Sequence, residues 1–435
     1  MSLQTPEKIR NFQKKLYLKA KAEPDYRFYL LYDKVWRADI LEHAYRLARA
    51  NGGAAGVDGV TFAAIESTGL QEWLSGTGKM LRERTYRPEA VRRVMIPKPN
   101  GGERPLGIPT IRDRVVQTAV KLVIEPIFEV DLEPNAYGYR PRRSAGDAIK
   151  AVHDLLRSGH TDVVDADLSK YFDTIPHAAL MKSVARRVSD RRVLHLIKMW
   201  LKAPVEVTDD KGRKRHVGGK RAKLGTPQGG VASPLLANVY MHRFIKAFRK
   251  FGLDKKHGAV LVNYADDFVV LCKRDALGAL ATIRRWLMSI GLELNETKTS
   301  VKDARAESFD FLGYTFKMLR SFKTGTPYPG ALPGKRAVNR FKDDVRRWLF
   351  RGNVSPMAKV VAVLNRKLRG WGNYFRYGSV LRTRHNLDRF VCERVRHFLV
   401  RRNKCPTRGN RRYPREYVFG TLGVVSLKAL PRPGM

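Results

Sequence analysis

Cysteine is scarce: there are three in 435 residues, Cys272, Cys392 and Cys405. An odd number cannot all pair, and none of the three has the close spacing of zinc ligands. A disulfide scaffold and structural zinc are therefore excluded, and a reducing compartment is expected. Apolar runs are short. None approaches the ~18 residues of a membrane span, so no membrane partner is expected. The opening MSLQTPEKIRNFQKK lacks the apolar core of a signal peptide, which points to the cytoplasm. Acidic residues are few as well: 41 Asp and Glu face 84 Lys and Arg, a formal net charge of +43. Self-repulsion on that scale opposes compaction unless a polyanion offsets it, which favours a nucleic-acid partner. The surplus is uneven. Residues 335–415 hold 24 Lys and Arg against 4 Asp and Glu, nearly half of the excess in under a fifth of the chain.

The few acids are placed where they are costly. Tyr264-Ala265-Asp266-Asp267 lies between the apolar runs Ala259–Asn263 and Phe268–Leu271. Adjacent carboxylates in an apolar, β-branched segment need a cation to meet them. Mg²⁺ prefers carboxylate oxygen and binds through one or two carboxylates plus substrate phosphates. A solvated hairpin tip is the simpler reading. A second motif, VVDADLSKYFDTIPH at 163–177, changes the balance. Strand alternation puts Asp165 and Asp167 on one face. Asp167 beside Asp266 and Asp267 would complete a two-metal site of the kind used in phosphoryl transfer.

The spacing predicts helices within residues 1–50, closed by Asn51-Gly52-Gly53, and a β-hairpin over 91–110 that turns at Pro99–Gly102. An apolar helix over 112–129 is expected to stop near Pro126, and one more helix is expected over 177–203. Ser233 reads as the N-cap of a helix with Pro234 at its first position. Two strands flank the Asp pair, a helix follows over 274–291, and Phe309–Phe316 reads as one aromatic strand segment. The Gly and Pro cluster at 325–334 reads as a linker or loop. Three basic helices are expected near 336–351, 357–376 and 384–403. A Gly-rich turn, Gly225 to Gly230 around Gln228, precedes a helix start and allows close approach of a nucleotide or phosphate. The whole reads as an α+β palm of the polymerase kind.

Several segments in order resemble the reverse transcriptase/maturases encoded in bacterial group II introns: GGAAGVDGV (52–60), RRVMIPKPNGGERPLGIPTIRDRVVQ (92–117), NAYGYRPRRSAGDAI (135–149), VDADLSKYFDTIPH (164–177), GTPQGGVASPLLANVYMHRF (225–244), YADDFVVL (264–271), LNETKT (294–299) and FLGYTF (311–316). LNRKLRGWGNYFRYGS (364–379) is similar to that family's maturase or thumb segment. The resemblance implies a right-hand polymerase. Residues 1–60 would be a helical extension, 61–320 the fingers and palm, 335–403 a helical thumb, and 404–435 a basic tail and candidate DNA-binding segment. It implies metal binding by Asp167, Leu168, Asp266 and Asp267, with the three Asp residues catalytic and two Mg²⁺ as cofactor. Lys98 and Arg104 would clamp the triphosphate of a dNTP, Gln228 would line its pocket, Phe172 would exclude a ribose 2′-hydroxyl, and Lys298 would lie near the pyrophosphate. Arg366, Lys367, Arg369 and Arg376 are the candidate nucleic-acid contacts. The implied activity is RNA-directed DNA synthesis on an RNA template with a DNA primer, with binding of intron RNA and target DNA in splicing and mobility. The implied location is cytoplasmic, on the nucleoid when bound to DNA. No Cys-pair or HNH-type nuclease motif is seen, so no endonuclease is expected. Two other readings stand beside this one: a related polymerase adapted to host defence or DNA repair, and an RNA-binding splicing factor with an inert palm.

Overall fold

The computed structural model describes residues 3–97, 102–209 and 211–431. Helices open the chain, as the apolar spacing predicts: α1 (Glu7–Ala22), α2 (Tyr32–Val35), α3 (Ala38–Asn51) and α4 (Phe62–Arg82). Gly52 ends α3 with φ +63°, a conformation that favours glycine. The hairpin β1 (Val91–Pro97) and β2 (Glu103–Ile108) follows, then α5 (Ile111–Glu129) and α6 (Ala145–Arg157). Helix α5 runs past Pro126 rather than stopping there. A proline removes the hydrogen bond to the carbonyl four residues back. That carbonyl, on Leu122, accepts instead from Gln13 Nε2 of α1 at 2.9 Å. Tertiary packing thus repairs the break that local sequence predicts.

Next come β3 (Asp162–Asp167), α7 (Tyr171–Thr174), α8 (His177–Ala185), α9 (Arg191–Leu201), β4 (Pro204–Thr208) and β5 (Lys214–Gly218). The single helix expected over 177–203 is two. Asp190 separates them: its Oδ1 accepts from the backbone N–H groups of Arg192 and Val193, and its Oδ2 from those of Leu31 and Tyr32. One carboxylate therefore caps α9 and ties the N-terminal helices to the body. Helices α10 (Ser233–Lys250) and α11 (Leu253–His257) lead into β6 (Ala259–Tyr264), β7 (Asp267–Cys272), α12 (Ala276–Ser289) and β8 (Ser300–Asp303). Ser233 is the first residue of α10, not its cap, and its hydroxyl donates to the Pro227 carbonyl at 2.8 Å.

Three sheets organise these elements. The palm sheet has the order β6-β7-β3-β8, antiparallel throughout, and the fingers sheet has the order β2-β1-β4-β5. Both faces of the palm sheet are covered. Val164, Ala166, Phe268 and Val270 join the large core shared with the N-terminal helices, α5 and α10. Val163, Val262, Val269 and Leu271 join a second core on the opposite face. This is why β7 reads as a continuous apolar run.

The third sheet, β11-β10-β9, is formed by β9 (Phe309–Phe311), β10 (Tyr314–Arg320) and β11 (Pro327–Pro333). The expected aromatic strand is broken at Leu312-Gly313, both with positive φ. The expected linker at 325–334 is a strand, paired along its whole length with β10. Pro327, Pro329 and Pro333 are tolerated because β11 is an edge, where a missing N–H on the outer side costs no ladder bond.

The thumb is α13 (Lys335–Trp348), α14 (Met357–Tyr374) and α15 (Leu381–Arg402), around a core that includes Phe341, Leu364, Leu368, Val391 and Leu399. The tail folds into this core. Tyr413, Val418, Val424 and Leu427 are buried there, so Tyr413 cannot serve as a base-stacking platform. Together the sheets and helices form a right hand of fingers, palm and thumb. Among the described residues no helix is long and apolar enough to cross a membrane.

Candidate active site

Strand register builds the acidic cleft. Asp167 ends β3, Asp267 begins β7, and the two are direct cross-strand partners. Opposed side chains share a sheet face with Cβ atoms about 4.5–5.5 Å apart. Asp266 lies in the two-residue turn between β6 and β7. The other turn residue, Ala265, has φ +61°, a region that costs a residue with a Cβ about 1–2 kcal/mol. The surroundings hold it there. Buried Asn263 donates Nδ2 to the Ala265 carbonyl at 2.9 Å. Gly138 lies so close that a Cβ on it would stand 2.2 Å from the Ala265 nitrogen.

Like charges set the electrostatics. Burial against the sheet, then Asp266, then Asp167 push the Asp267 carboxyl up to about 6. One side of Asp267 opens on the cleft while the protein crowds the others. Lys298 offsets part of the repulsion: its Nζ meets Asp167 Oδ2 at 2.7 Å. That hydrogen bond holds the lysine above its usual range. Lys298 is thus placed against a carboxylate. Asp165 shares the Asp167 face but is bound by Lys302 Nζ at 3.0 Å.

The donor set fits hard divalent cations, which take carboxylate oxygen. Three crowded carboxylates, one of them raised by burial and by its neighbours, favour added positive charge. Among the described residues, no three His, Cys, Asp or Glu side chains converge closely enough to hold an ion as they stand. A lysine ammonium stands against Asp167 instead. The Leu168 side chain is buried and has no ligand atom, so only its carbonyl could serve a metal.

Fingers and palm meet beside this cleft. The Gly107 N–H donates to the Gln228 carbonyl at 2.6 Å, and Arg104 Nε donates to Gln228 Oε1 at 2.9 Å. A Cβ on Gly229, whose φ is +110°, would stand 2.2 Å from the Gly107 carbonyl oxygen. The glycine-rich turn is therefore required by a close backbone approach, here of protein to protein. Phe172 is buried, and its ring meets Tyr139 edge-on with centroids 6.3 Å apart. Lys98 lies outside the described residues. Arg104, Gln228, Phe172 and the Asp trio come together, whereas the thumb set is separate. Arg366, Arg369 and Arg376 are exposed and Lys367 is half-buried; none forms an ion pair among the described residues.

Sequence reasoning passed over Tyr139, Asn263 and Asn295. Asn295 binds the Asp167 carbonyl through its N–H at 2.8 Å. The only sequence signal for Tyr139 is its place in NAYGYRPRRSAGDAI.

Residues 96–316 match the reverse transcriptase (RNA-dependent DNA polymerase) family, and residues 338–417 match the group II intron maturase-specific domain. The chain belongs to the group II intron-encoded reverse transcriptase/maturases. Protein YkfC of Escherichia coli K12 is 35% identical over 372 residues, 76% of this chain and 94% of that protein. Group II intron-encoded protein LtrA of Lactococcus lactis is 26% identical over 443 residues, 81% of this chain and 71% of LtrA. A solved telomerase from Candida albicans, in complex with a fragment of telomeric RNA, matches with TM-score 0.43 and 14% identity. That match covers 75% of this chain and 62% of the telomerase chain. The activity of the reverse transcriptase/maturase family is RNA-directed DNA polymerisation, coupled to assistance in intron splicing and mobility.

Proposed function

We propose that this protein extends a DNA primer on an RNA template with dNTPs, using Asp167, Asp266 and Asp267 as the carboxylates that hold two Mg²⁺. The cross-strand pairing of Asp167 with Asp267, with Asp266 in the adjoining turn, carries this reading. Bound there, the ions would lower the pKa of the primer 3′-hydroxyl and steady the departing pyrophosphate, with Leu168 contributing its carbonyl. The protein's own part is positioning and charge. Arg104 and Lys98 would clamp the triphosphate, since both side-chain types pair with phosphate oxygen. Gln228 orients the nucleotide, Phe172 closes the space below the sugar, and Lys298 exchanges Asp167 for substrate phosphate.

The cations Arg366, Lys367, Arg369 and Arg376 hold nucleic-acid backbone, including folded intron RNA and, in mobility, target DNA. Residues 1–60 act as a helical extension, 61–320 as fingers and palm, 335–403 as thumb and 404–435 as a basic tail. The site of action is the cytoplasm. No nuclease step is assigned to this protein, whose Cys272, Cys392 and Cys405 show no ligand spacing. Primer extension in Mg²⁺ tests the carboxylates. Asp266→Asn keeps the size and removes the charge, so synthesis should fail while RNA binding persists. Near-normal extension by that variant would overturn the assignment.

A further inference from the structure

The loop between α5 and α6 is built with unusual care for a surface connection. Arg140 is fixed by Glu129, with Nη2 to Oε1 at 2.7 Å, and by the Glu133 and Ala136 carbonyls at 2.6 and 2.7 Å. The loop runs along β6: Asn263 donates its N–H to the Asn135 carbonyl at 3.0 Å, and Tyr137 donates to the Asn263 carbonyl at 2.8 Å. The Gly138 carbonyl accepts from buried Asn238 Nδ2 at 2.8 Å. Gly138 itself lies flat on the turn that carries Asp266, where no Cβ fits.

All of this holds one residue in place. Tyr139 has φ +56°, a left-handed conformation that a bulky residue rarely adopts. Its side chain is 43% exposed on the cleft, and its hydroxyl makes no hydrogen bond among the described residues. Burial of one face keeps the phenol protonated, and the charges of Asp266, Arg104 and Asp267 reach it. The covered face of the ring meets Phe172 edge-on, at 75° and 6.3 Å. Phe172 also meets Tyr171, with centroids 5.6 Å apart. Tyr171 is anchored in turn by its hydroxyl on the Ala237 carbonyl at 2.6 Å. Of these two aromatic neighbours Tyr171 is buried, whereas Tyr139 is exposed.

We infer that Tyr139 is a positioning residue for sugar selection: its ring braces Phe172 from the cleft, so that rejection of a ribose 2′-hydroxyl depends on the pair. The inference rests on the reading of Phe172 as the sugar gate. An edge-to-face aromatic pair contributes about 0.5–1.5 kcal/mol beyond burial, which corresponds to roughly 2- to 12-fold in selection. Tyr139→Phe keeps that contact; Tyr139→Ala removes it. Tyr139→Asn also removes the ring and suits the left-handed backbone, so it guards against a variant that merely misfolds.

The measurement is the ratio of kcat/KM for a dNTP to that for the matching rNTP. It is made in wild type, Phe172→Ala, the three Tyr139 variants and the Phe172→Ala/Tyr139→Ala double variant. Tyr139→Ala and Tyr139→Asn should lower the ratio roughly 2- to 12-fold, and Tyr139→Phe should hold it near wild type. The double variant should select no worse than Phe172→Ala. A general loss of folding would depress both nucleotides alike and leave the ratio unmoved. If Phe172→Ala lowers the ratio while Tyr139→Ala and Tyr139→Asn leave it at wild type, the gate stands and the brace is wrong. If the Tyr139→Ala loss is the same with Ala at 172, Tyr139 acts on its own and the brace is again wrong. If Phe172→Ala changes nothing, the gate reading fails, and the brace with it.

Discussion

Asp266→Asn should do more than remove a carboxylate proposed to hold metal. Burial, Asp266 and Asp167 together raise the Asp267 carboxyl to about 6. A group raised in the folded state contributes stability below its unfolded pKa, here about 4, and loses that contribution as pH rises through about 6. The metal-free protein at pH 7 therefore carries a local electrostatic penalty that divalent cations relieve. Ionisation with a midpoint of about 6 is roughly 90% complete at pH 7 and roughly 10% complete at pH 5, so one displaced proton should weaken apparent metal affinity about tenfold across that window. Asp266→Asn removes the largest of the charges that raise Asp267 and should lower its midpoint. The variant should melt at a higher temperature than wild type in EDTA at pH 7, gain less from added Mg²⁺, and fail in primer extension. Scanning calorimetry with and without Mg²⁺ at pH 5, 6 and 7 reads the first two, and carboxyl carbon NMR reads the midpoint. Metal affinity that is flat from pH 5 to 7, or an Asp267 midpoint near 4 in the metal-free wild type, would refute the reasoning.

Gly138→Ala should displace the turn that carries Asp266, because its Cβ would stand 2.2 Å from the Ala265 nitrogen; kcat in primer extension should fall while binding of duplex is kept. Gly229→Ala should raise KM for dNTP by forcing the Gln228 turn off the fingers strand, at φ +110° and 2.2 Å from the Gly107 oxygen. Neutralising Arg366 and Lys367 together should lower the salt slope of RNA binding by roughly 0.7–0.9 for each lost phosphate contact, read by titration with KCl; an unchanged slope would mean that both face solvent idly. Asp388 is fully buried and accepts from Ser426 Oγ at 2.6 Å and from the Leu427 and Lys428 N–H groups at 2.7 and 3.1 Å. Asp388→Ala should cost about 3 kcal/mol and expose the tail after residue 404 to protease.

Much of the site was legible because its chemistry is local. Asp266 and Asp267 announce themselves as acids within an apolar strand, and alternation alone puts Asp165 and Asp167 on one face. What alternation cannot decide is which of those two reaches the cleft. Pairing across β3 decides it: Asp167 opposes Asp267, whereas Asp165 opposes Val269 and is bound by Lys302. The misreadings are tertiary. Pro126 looks like a stop until Gln13 takes up the freed carbonyl. The 325–334 cluster looks like a linker until its prolines fall on a sheet edge. Tyr139 is silent in sequence, since its loop is held by β6 and the turn after it, more than a hundred residues away.

One consequence concerns how nucleotide enters. The described cations expected to meet the triphosphate already have protein partners: Lys298 has Asp167 at 2.7 Å, and Arg104 has Gln228 at 2.9 Å. Gln228 in turn reaches Asp173 through Nε2 at 3.4 Å. Both contacts are polar, partly solvated and replaceable, so binding is an exchange of partners rather than the filling of an empty socket. Exchange favours a substrate that brings its own cations. Phosphate oxygens take Lys298 and Arg104, and the accompanying divalent ions take the carboxylate that Lys298 leaves. A triphosphate without divalent metal would free Lys298 but strand Asp167 beside Asp267, so it should bind weakly. Metal without nucleotide must compete with Lys298. The two ligands should therefore bind cooperatively, and Lys298→Ala should weaken that coupling by strengthening binding of metal alone. Titrating Mg²⁺ with and without a non-hydrolysable dNTP, in wild type and Lys298→Ala, measures it; equal coupling in the two proteins would remove Lys298 from the exchange.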